Sequence, residues 1–278
     1  MVKYKAKVSA IILYFNDINI FEAIDSIKNQ TIIPEEVIII DDHSDMPIDE
    51  NCLDPNFRVI KNSRNMGRGY SRNLGIKMSK GQFVVFCDSS NSLCEDFIET
   101  SLINFKNKKI SAVFGKIKGK EHQTDICSRW RERNLFLETY PQAKEPYEVF
   151  SLSTYSVMMR KSHVLKIGNF DSKLKQFEDH KLGTKLMEKG YQIFFDPNIF
   201  CTSNRNDNLF QLARRVNRWY SPSNESFDVK SFINLIKTSL FIWIKRDLQS
   251  NDYNGVFVSL IIPFLIISQN AINDFQKN

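Results

Sequence analysis

Six positions carry side chains that could do chemistry together. Asp42 closes the apolar run "VIIIDD", and Asp88 closes "QFVVFCD". Glu178 and Asp179 open a stretch with helical spacing, Arg72 lies in "NMGRGYSRNLG", and Phe15 follows "AIILY". Open α/β sheets bind ligands in crevices beyond the carboxyl ends of their strands. An acid there can accept hydrogen bonds from a nucleobase or ribose, or help to hold a divalent ion. An arginine near a helix start can meet a diphosphate. An aromatic ring at a strand end can stack on a base. A carboxylate within reach of an acceptor hydroxyl can remove its proton.

Plain structural readings compete at each position. Asp41-Asp42 can form an Asx turn. Glu178 and Asp179 can simply complement the dipole at a helix start. Tyr14 and Phe15 can belong to the core. Asp88 is followed by Ser89, Ser90 and Asn91, so it is the sole acid of a thin metal site. "NMGRGYSRNLG" is not a dinucleotide fingerprint, because Arg72 stands at the third glycine position, and it is not a P-loop, because no Gly-Lys-Ser/Thr follows.

The elements that must position these residues alternate. "KVSAIILYF", "EVIIIDD", "FRVIK" and "QFVVFCD" read as buried strands, rich in residues that suit a pleated surface. Residues 17–29, with Phe21, Ile24 and Ile27, and the segment from Gly67, with Leu74 and Met78, read as helices between them. Continuous apolar strands alternating with helices imply a parallel sheet covered on both faces. Residues 95–106 are expected to be helical and "ISAVFGKI" a strand; "YEVFSLSTYSVMMR" is strand-like. "EDHKLGTKLMEKG" reads as a helix capped by Gly190, and "QIFFDP" as a strand ended by Pro197. The expected division is a nucleotide-binding half over 1–118, an acceptor half over 119–218 and a helical tail over 219–278.

In the tail, "FINLIKTSLFIWIKR" puts Phe232, Leu235, Ile236, Leu240, Trp243 and Ile244 near one helical face, flanked by lysines and Arg246. "VFVSLIIPFLII" is a 12-residue run holding Pro263. A spanning helix needs about 20 apolar residues, so the expectation is either an amphipathic helix in a membrane interface or a helix pair packed on the protein's own core or on a second subunit. The N-terminal apolar run is short, ends in Asn16-Asp17 and lacks a small-x-small site, so it reads as a first core strand and not a signal peptide.

Bulk properties narrow the class. The 278 residues are 42% hydrophobic and 25% charged, as in an ordinary folded protein. The net charge of +6 is spread along the chain, without the basic stripe or recognised module of a nucleic-acid binder. Five cysteines without a C-x-x-C pair point away from zinc and disulfides and toward a reducing compartment.

Taken together and in order, the motifs resemble those of the family 2 inverting glycosyltransferases of the GT-A fold, over about Val8 to Pro197. The resemblance rests on "VSAIILYFN", Gln30-Thr31, "IIIDDHS", "NMGRGYSRNLG", "GQFVVFCDSS", "GNFD" and "FEDHKLGTKLMEKGY". It implies an α/β, GT-A type architecture, with a mostly parallel nucleotide-binding sheet flanked by helices, an acceptor region and C-terminal helices. It implies transfer of a sugar from a nucleotide sugar, a UDP-sugar first, to a glycan or lipid-linked acceptor in surface glycan synthesis. Phe15 and Asp42 would meet the base, Arg72 the sugar or diphosphate, Asp88 a Mn or Mg ion, and Asp179 would be the catalytic base, with Glu178 beside it. "QLARRVNRW" lies where the family often carries a basic motif, so Arg214 and Arg215 would support the leaving group. Their plain reading is a basic helix face near lipid headgroups.

This chain departs from the pattern where the family usually has a second acid after Asp88; Ser90 and Asn91 are neutral and offset little of an ion's dehydration cost. A catalytically impaired scaffold protein of the same fold is the competing class. A sugar-phosphate nucleotidyltransferase would want a glycine-rich loop after the first strand, and "LYFNDINIF" has no glycine. The expected location is cytoplasmic, at the inner face of the membrane.

Overall fold

The structure is a computed structural model and describes residues 6–120, 125–136, 143–174, 176–220 and 229–275. Its chain gathers into two compact units. The first holds the residues up to Lys118 and Gln142–Asn204, and the second Gly119–Pro141 and Arg205–Asn278. The expected 119–218 segment is therefore shared between both units, and the helical tail extends a unit that begins earlier in the chain.

The first unit is built on a nine-stranded mixed sheet. Strands β1 (Val8–Tyr14), β2 (Glu36–Asp41), β3 (Phe57–Lys61) and β4 (Phe83–Asp88) lie parallel in the order β3-β2-β1-β4. Their cores are apolar and fully buried: Ala10 to Ile12, Val37 to Ile40 and Val84 to Cys87 have no exposed surface. Helices α1 (Ile20–Lys28) and α2 (Arg68–Met78) fall between these strands in the chain. On α1 the buried residues are Ile20, Ala23, Ile24 and Ile27, while the expected core residue Phe21 is exposed. On α2 the inward face is not apolar; Gly69, Ser71, Arg72 and Gly75 are buried with Ile76, and Met78 is exposed.

The remaining strands extend the sheet beyond β4. They are β5 (Asn91–Leu93), β6 (Ile110–Gly119), β7 (Tyr147–Glu148), β8 (Ser156–Arg160) and β9 (Gln192–Ser203). β8 runs antiparallel to β4 and β6, and β5 and β7 run antiparallel to β9. The expected single strand from Tyr147 to Arg160 is two short ones. β9 does not stop at Pro197, because two separate partners hold its halves, β7 at Phe194–Phe195 and β5 at Cys201–Ser203. Between them Asp196 accepts the Asn198 N–H at 3.0 Å, a local turn at the position where proline offers no ladder donor. Helices α3 (Phe97–Asn104), α5 (Lys161–Lys166) and α6 (Glu178–Glu188) complete this unit, with α4 (Ile126–Arg131) falling in the other. Gly190 takes φ 76° just past α6, the left-handed conformation that its capping position requires.

The second unit is helical. Besides α4 it has α7 (Leu209–Tyr220), α8 (Val229–Thr238), α9 (Ile244–Gln249) and α10 (Tyr253–Phe275). A π-helical segment, Ser239–Trp243, joins α8 to α9 without a break. The core gathers Trp130, Leu212, Val216, Leu235, Trp243, Val258, Ile262 and Ile266. Trp130 and Trp243 meet edge to face with centroids 5.0 Å apart.

α10 is 23 residues long and runs through Pro263, so the apolar stretch is longer than its 12-residue run suggested. Over Tyr253–Ala271 it is long and apolar enough to cross a membrane by length and composition. A proline inside a helix leaves the carbonyl four residues earlier without its donor. Here that carbonyl belongs to Ser259, and the Ser239 hydroxyl donates to it at 2.6 Å. Ser239→Ala should therefore cost roughly 1–3 kcal/mol by denaturant titration, the range for an orphaned buried acceptor. In a Pro263→Ala background, where a helical N–H is restored, the same change should cost well under that; equal costs in both backgrounds would remove this account of Pro263.

Candidate active site

β1 leads to strands on one side through β2 and β3, and on the other side it pairs with β4. The reversal of strand order opens a crevice at the carboxyl ends of β1 and β4. Leu13 pairs in register with Asp88 there, and Tyr14 with Asp41. Phe15 follows at the mouth, 51% exposed, as a stacking platform requires and a core residue does not.

The loops after β1 and β2 are tied together by a residue whose role the sequence reading left unassigned. Asn16 takes φ 47°, a left-handed conformation that asparagine tolerates. Its Oδ1 accepts the Asp45 N–H at 2.8 Å, and its own N–H donates to Ser44 Oγ at 2.9 Å. Asp41 does hold the turn, but three residues on and not two: its Oδ1 accepts the Ser44 N–H at 2.7 Å. Asp42 has a different task. Its Oδ1 accepts from Asn62 Nδ2 and from the Met66 N–H, each at 2.7 Å, and its Oδ2 accepts from the Gly67 N–H at 2.8 Å. Asp42 is thus the clamp that holds the loop leading into α2. A carboxylate has about four lone-pair sites, so one direction on Oδ2 stays available to a ligand. Gly67 enters this turn with φ 85°.

α2 then delivers Arg72 to the centre of the site. Its guanidinium is buried, with Nη1 2.6 Å from Glu178 Oε1 and Nη2 3.6 Å from Asp88 Oδ1. The ring of Phe170 lies under it, 5.5 Å from centroid to guanidinium carbon. Phe170 in turn packs edge-on to Phe86 of β4. Asn73 fixes the Phe170 backbone from both sides, donating to its carbonyl at 2.8 Å and accepting its N–H at 3.0 Å. A side chain at Gly69 would put a Cβ 2.9 Å from the Asp171 carbonyl oxygen, which is why α2 can press on the "GNFD" turn only with glycine there.

Glu178 and Asp179 are presented by the start of α6. The preceding residue, Phe177, holds φ 60°, a strained conformation for a bulky side chain. Glu178 is turned inward at 4% exposure, onto Arg72. Asp179 faces differently: Oδ2 accepts from the Thr154 hydroxyl at 3.2 Å, and Oδ1 from its neighbour's N–H, that of His180, at 2.9 Å. Burial pushes the Asp179 carboxyl above its ordinary range, the Arg72 charge pulls it back, and the adjacent Glu178 adds to the rise. The structure therefore brings Asp88, Glu178 and Asp179 into the field of one arginine. Thr154 had no signal in the sequence, since only folding carries it to a residue 25 positions later.

The donor set at Asp88 does not fit a resident divalent ion. Among the described residues no group of three or more His, Cys, Asp or Glu could hold one. The neutral Asn91 donates its Nδ2 to the Tyr155 carbonyl at 3.0 Å, and the neutral Ser90 is buried. Of the expected basic motif, Arg215 is already bound within the second unit. It grips Asp207 through two bonds of 2.9 Å, and Arg131 meets the same carboxylate at 2.8 Å. That pairing uses Nε and Nη2 of Arg215 and holds its side chain within the second unit. Arg214 is exposed on α7.

The model of the family described as "Glycosyl transferase family 2" matches residues 9–168. The chain is 25% identical over 292 aligned residues to a cholesterol galactosyltransferase of Borreliella burgdorferi, covering 94% of this chain and 74% of that protein. It is 26% identical over 244 residues to the minor teichoic acid biosynthesis protein GgaB of Bacillus subtilis, covering 81% of this chain and 26% of that one. Among solved structures, GalNAc-T7 with UDP, GalNAc and Mn2+ is similar with a TM-score of 0.57 and 15% identity. The alignment covers 96% of this chain and 58% of that one. The chain belongs to glycosyl transferase family 2, and its fold is of the GT-A type.

Removing one member of a buried ion pair leaves the other charge stranded, at a cost of about 3–5 kcal/mol. Arg72→Met should show that loss in a denaturation experiment, because Glu178 would stay buried and unpaired. The double change Arg72→Met with Glu178→Leu should recover most of it. A single mutant as stable as the native chain would mean that the pair is not formed.

Proposed function

We propose that the chain transfers a sugar from a nucleoside-diphosphate sugar, a UDP-sugar, to a hydroxyl of a lipid or surface-glycan acceptor, with inversion at the anomeric carbon. The observation that carries the proposal is the gathering of Asp88 and the Glu178-Asp179 pair around Arg72, beside an exposed aromatic at the sheet's switch point. The Borreliella relative, whose name makes cholesterol its acceptor, supports a lipid hydroxyl. The teichoic acid relative supports a surface polymer. The UDP in the GalNAc-T7 structure supports the donor class.

In this reading Phe15 stacks on the base, and the open direction on Asp42 receives a donor from it. Asp179 is the general base. It takes the proton of the acceptor hydroxyl as that oxygen bonds to the anomeric carbon. The bond from that carbon to the diphosphate breaks, and its electron pair leaves with the diphosphate oxygen. Arg72 positions the acids: it fixes Glu178, sets the charge felt by Asp179 and keeps Asp88 oriented into the crevice. A raised carboxyl value suits Asp179 to this task, since a base works best with its pKa nearer the operating pH. We place the enzyme at the cytoplasmic face of a membrane, as a peripheral protein.

Asp179→Asn should reduce turnover by about 10²–10⁴, the range for a positioned acid or base, with donor binding by calorimetry unchanged. A scaffold protein would show no turnover in either form. In the native enzyme kcat/KM should fall as pH drops through the raised Asp179 value, because the base must be ionised. The limb should therefore lie above the ordinary aspartate value of about 3.9. Thr154→Val removes a hydrogen bond that favours the ionised form, so the limb should move to higher pH; an unmoved limb would put the base elsewhere. Ser90→Asp adds a second carboxylate, and turnover should become more responsive to Mn2+ than in the native chain; an unchanged response would place Asp88 away from the diphosphate.

A further inference from the structure

The second unit buries an ionic network beside its apolar core, under a helix whose outer side is apolar. Asp247 of α9 has no exposed surface and binds Arg133 at 2.7 Å, Asn134 at 3.0 Å and the Ser259 hydroxyl at 2.5 Å. That hydroxyl also accepts from the Trp130 indole at 2.7 Å. Ser259, Val258, Ile262 and Ile266 make the buried side of α10. The opposite side is a stripe of Tyr253, Phe257, Leu260, Phe264 and Ile267, between 37% and 73% exposed. The spacing of four and three places these five residues on one face of the helix.

The stripe continues onto the neighbouring helix. Phe232 of α8 meets Phe264 edge to face, with centroids 6.2 Å apart. Beyond it Ile233, Leu240 and Phe241 are exposed, Phe241 at 72%. Apolar surface of this extent marks a partner or a membrane. The charges beside it choose between them. Residues 229–246 carry Lys230, Lys237, Lys245 and Arg246 and no acid, and residues 253–273 carry no charge at all. The first acid after the lysines, Asp247, is turned inward. Phe241, Ile242, Lys245, Arg246 and Gln249 line one shallow hollow, so an aromatic ring and cations stand together there.

We propose that this face, formed by the helix from Val229 to Gln249 and by α10, docks on an anionic lipid surface and lies in its interface. The aromatic and aliphatic side chains enter the acyl boundary, and the exposed Lys237 and Lys245 meet lipid phosphates. A second copy of the chain is disfavoured as the occupant, because pairing the same face twice would bring its lysines together without an acid to answer them. Crossing the bilayer is disfavoured as well. α10 has the length, but its inner side is packed on Trp130 and bonded to the Asp247 network, which a lone spanning helix would abandon.

The test is co-sedimentation of the full chain with vesicles, and it reads binding without turnover, so it stands or falls apart from the catalytic reading. The chain should sediment with vesicles of phosphatidylcholine containing 30% phosphatidylglycerol and at least tenfold less with phosphatidylcholine alone. Phe241→Ser with Phe257→Ser, both exposed positions, should reduce binding at least tenfold while circular dichroism and thermal midpoint stay unchanged. Lys237→Gln with Lys245→Gln should remove the preference for the anionic vesicles. Three results would overturn the proposal: no sedimentation with either vesicle, sedimentation equal for native and Phe variants, or a native dimer in solution that the Phe variants convert to monomer without any vesicle binding.

Discussion

One buried guanidinium organises the catalytic half of this molecule. Arg72 has almost no exposed surface, and its burial is tolerable because Glu178 meets it directly and Asp88 lies nearby. A lone buried cation would carry a desolvation cost of several kcal/mol. The three residues are far apart in the chain, so each element that carries one must arrive before the others are satisfied. α2 must press on the "GNFD" turn, which glycine at position 69 and the Asn73 clamp on Phe170 make possible. α6 must begin where a strained Phe177 turns the chain inward. Solving this charge problem also brings Asp88 and Asp179 into the field of the same guanidinium.

The second unit solves a charge problem of its own with opposite consequences outside. Asp247, Arg133, Asp252 and Arg129 form one ion-pair chain, and Asp207 holds Arg131 and Arg215. With polar groups collected inside, the exterior of α10 is left to Phe, Leu and Ile. Pro263 belongs to the same economy of polar groups: the carbonyl it frees is taken by Ser239, within the π-helical segment. A wider turn of helix there lets a serine face the proline's missing donor.

GalNAc-T7, similar to this chain in fold, has a structure that holds Mn2+. Here Asp88 stands as the lone acid of its motif, and Asn91 is used to hold the backbone of Tyr155. Ser90, two residues after Asp88 where the family usually has its second acid, is neutral and buried.

Much of the fold was legible without coordinates. Four apolar strands separated by helical patterns determine a covered parallel sheet, because strands buried on both faces must be apolar throughout. The acids at their ends, the glycines at the start of α2 and the Glu178-Asp179 pair could be read as a group because local residue types carry their own chemistry. What the sequence could not determine was how those groups are shared. Asp42 looked available to a base, and the structure uses three of its acceptor directions on the loop before α2. Arg215 looked available to a diphosphate, and Asp207 holds it. Thr154 carried no signal at all. Composition and period are local properties, whereas the partner of a buried charge is whichever group the tertiary structure brings within about 3 Å of it, and that distance exists only once the chain has folded.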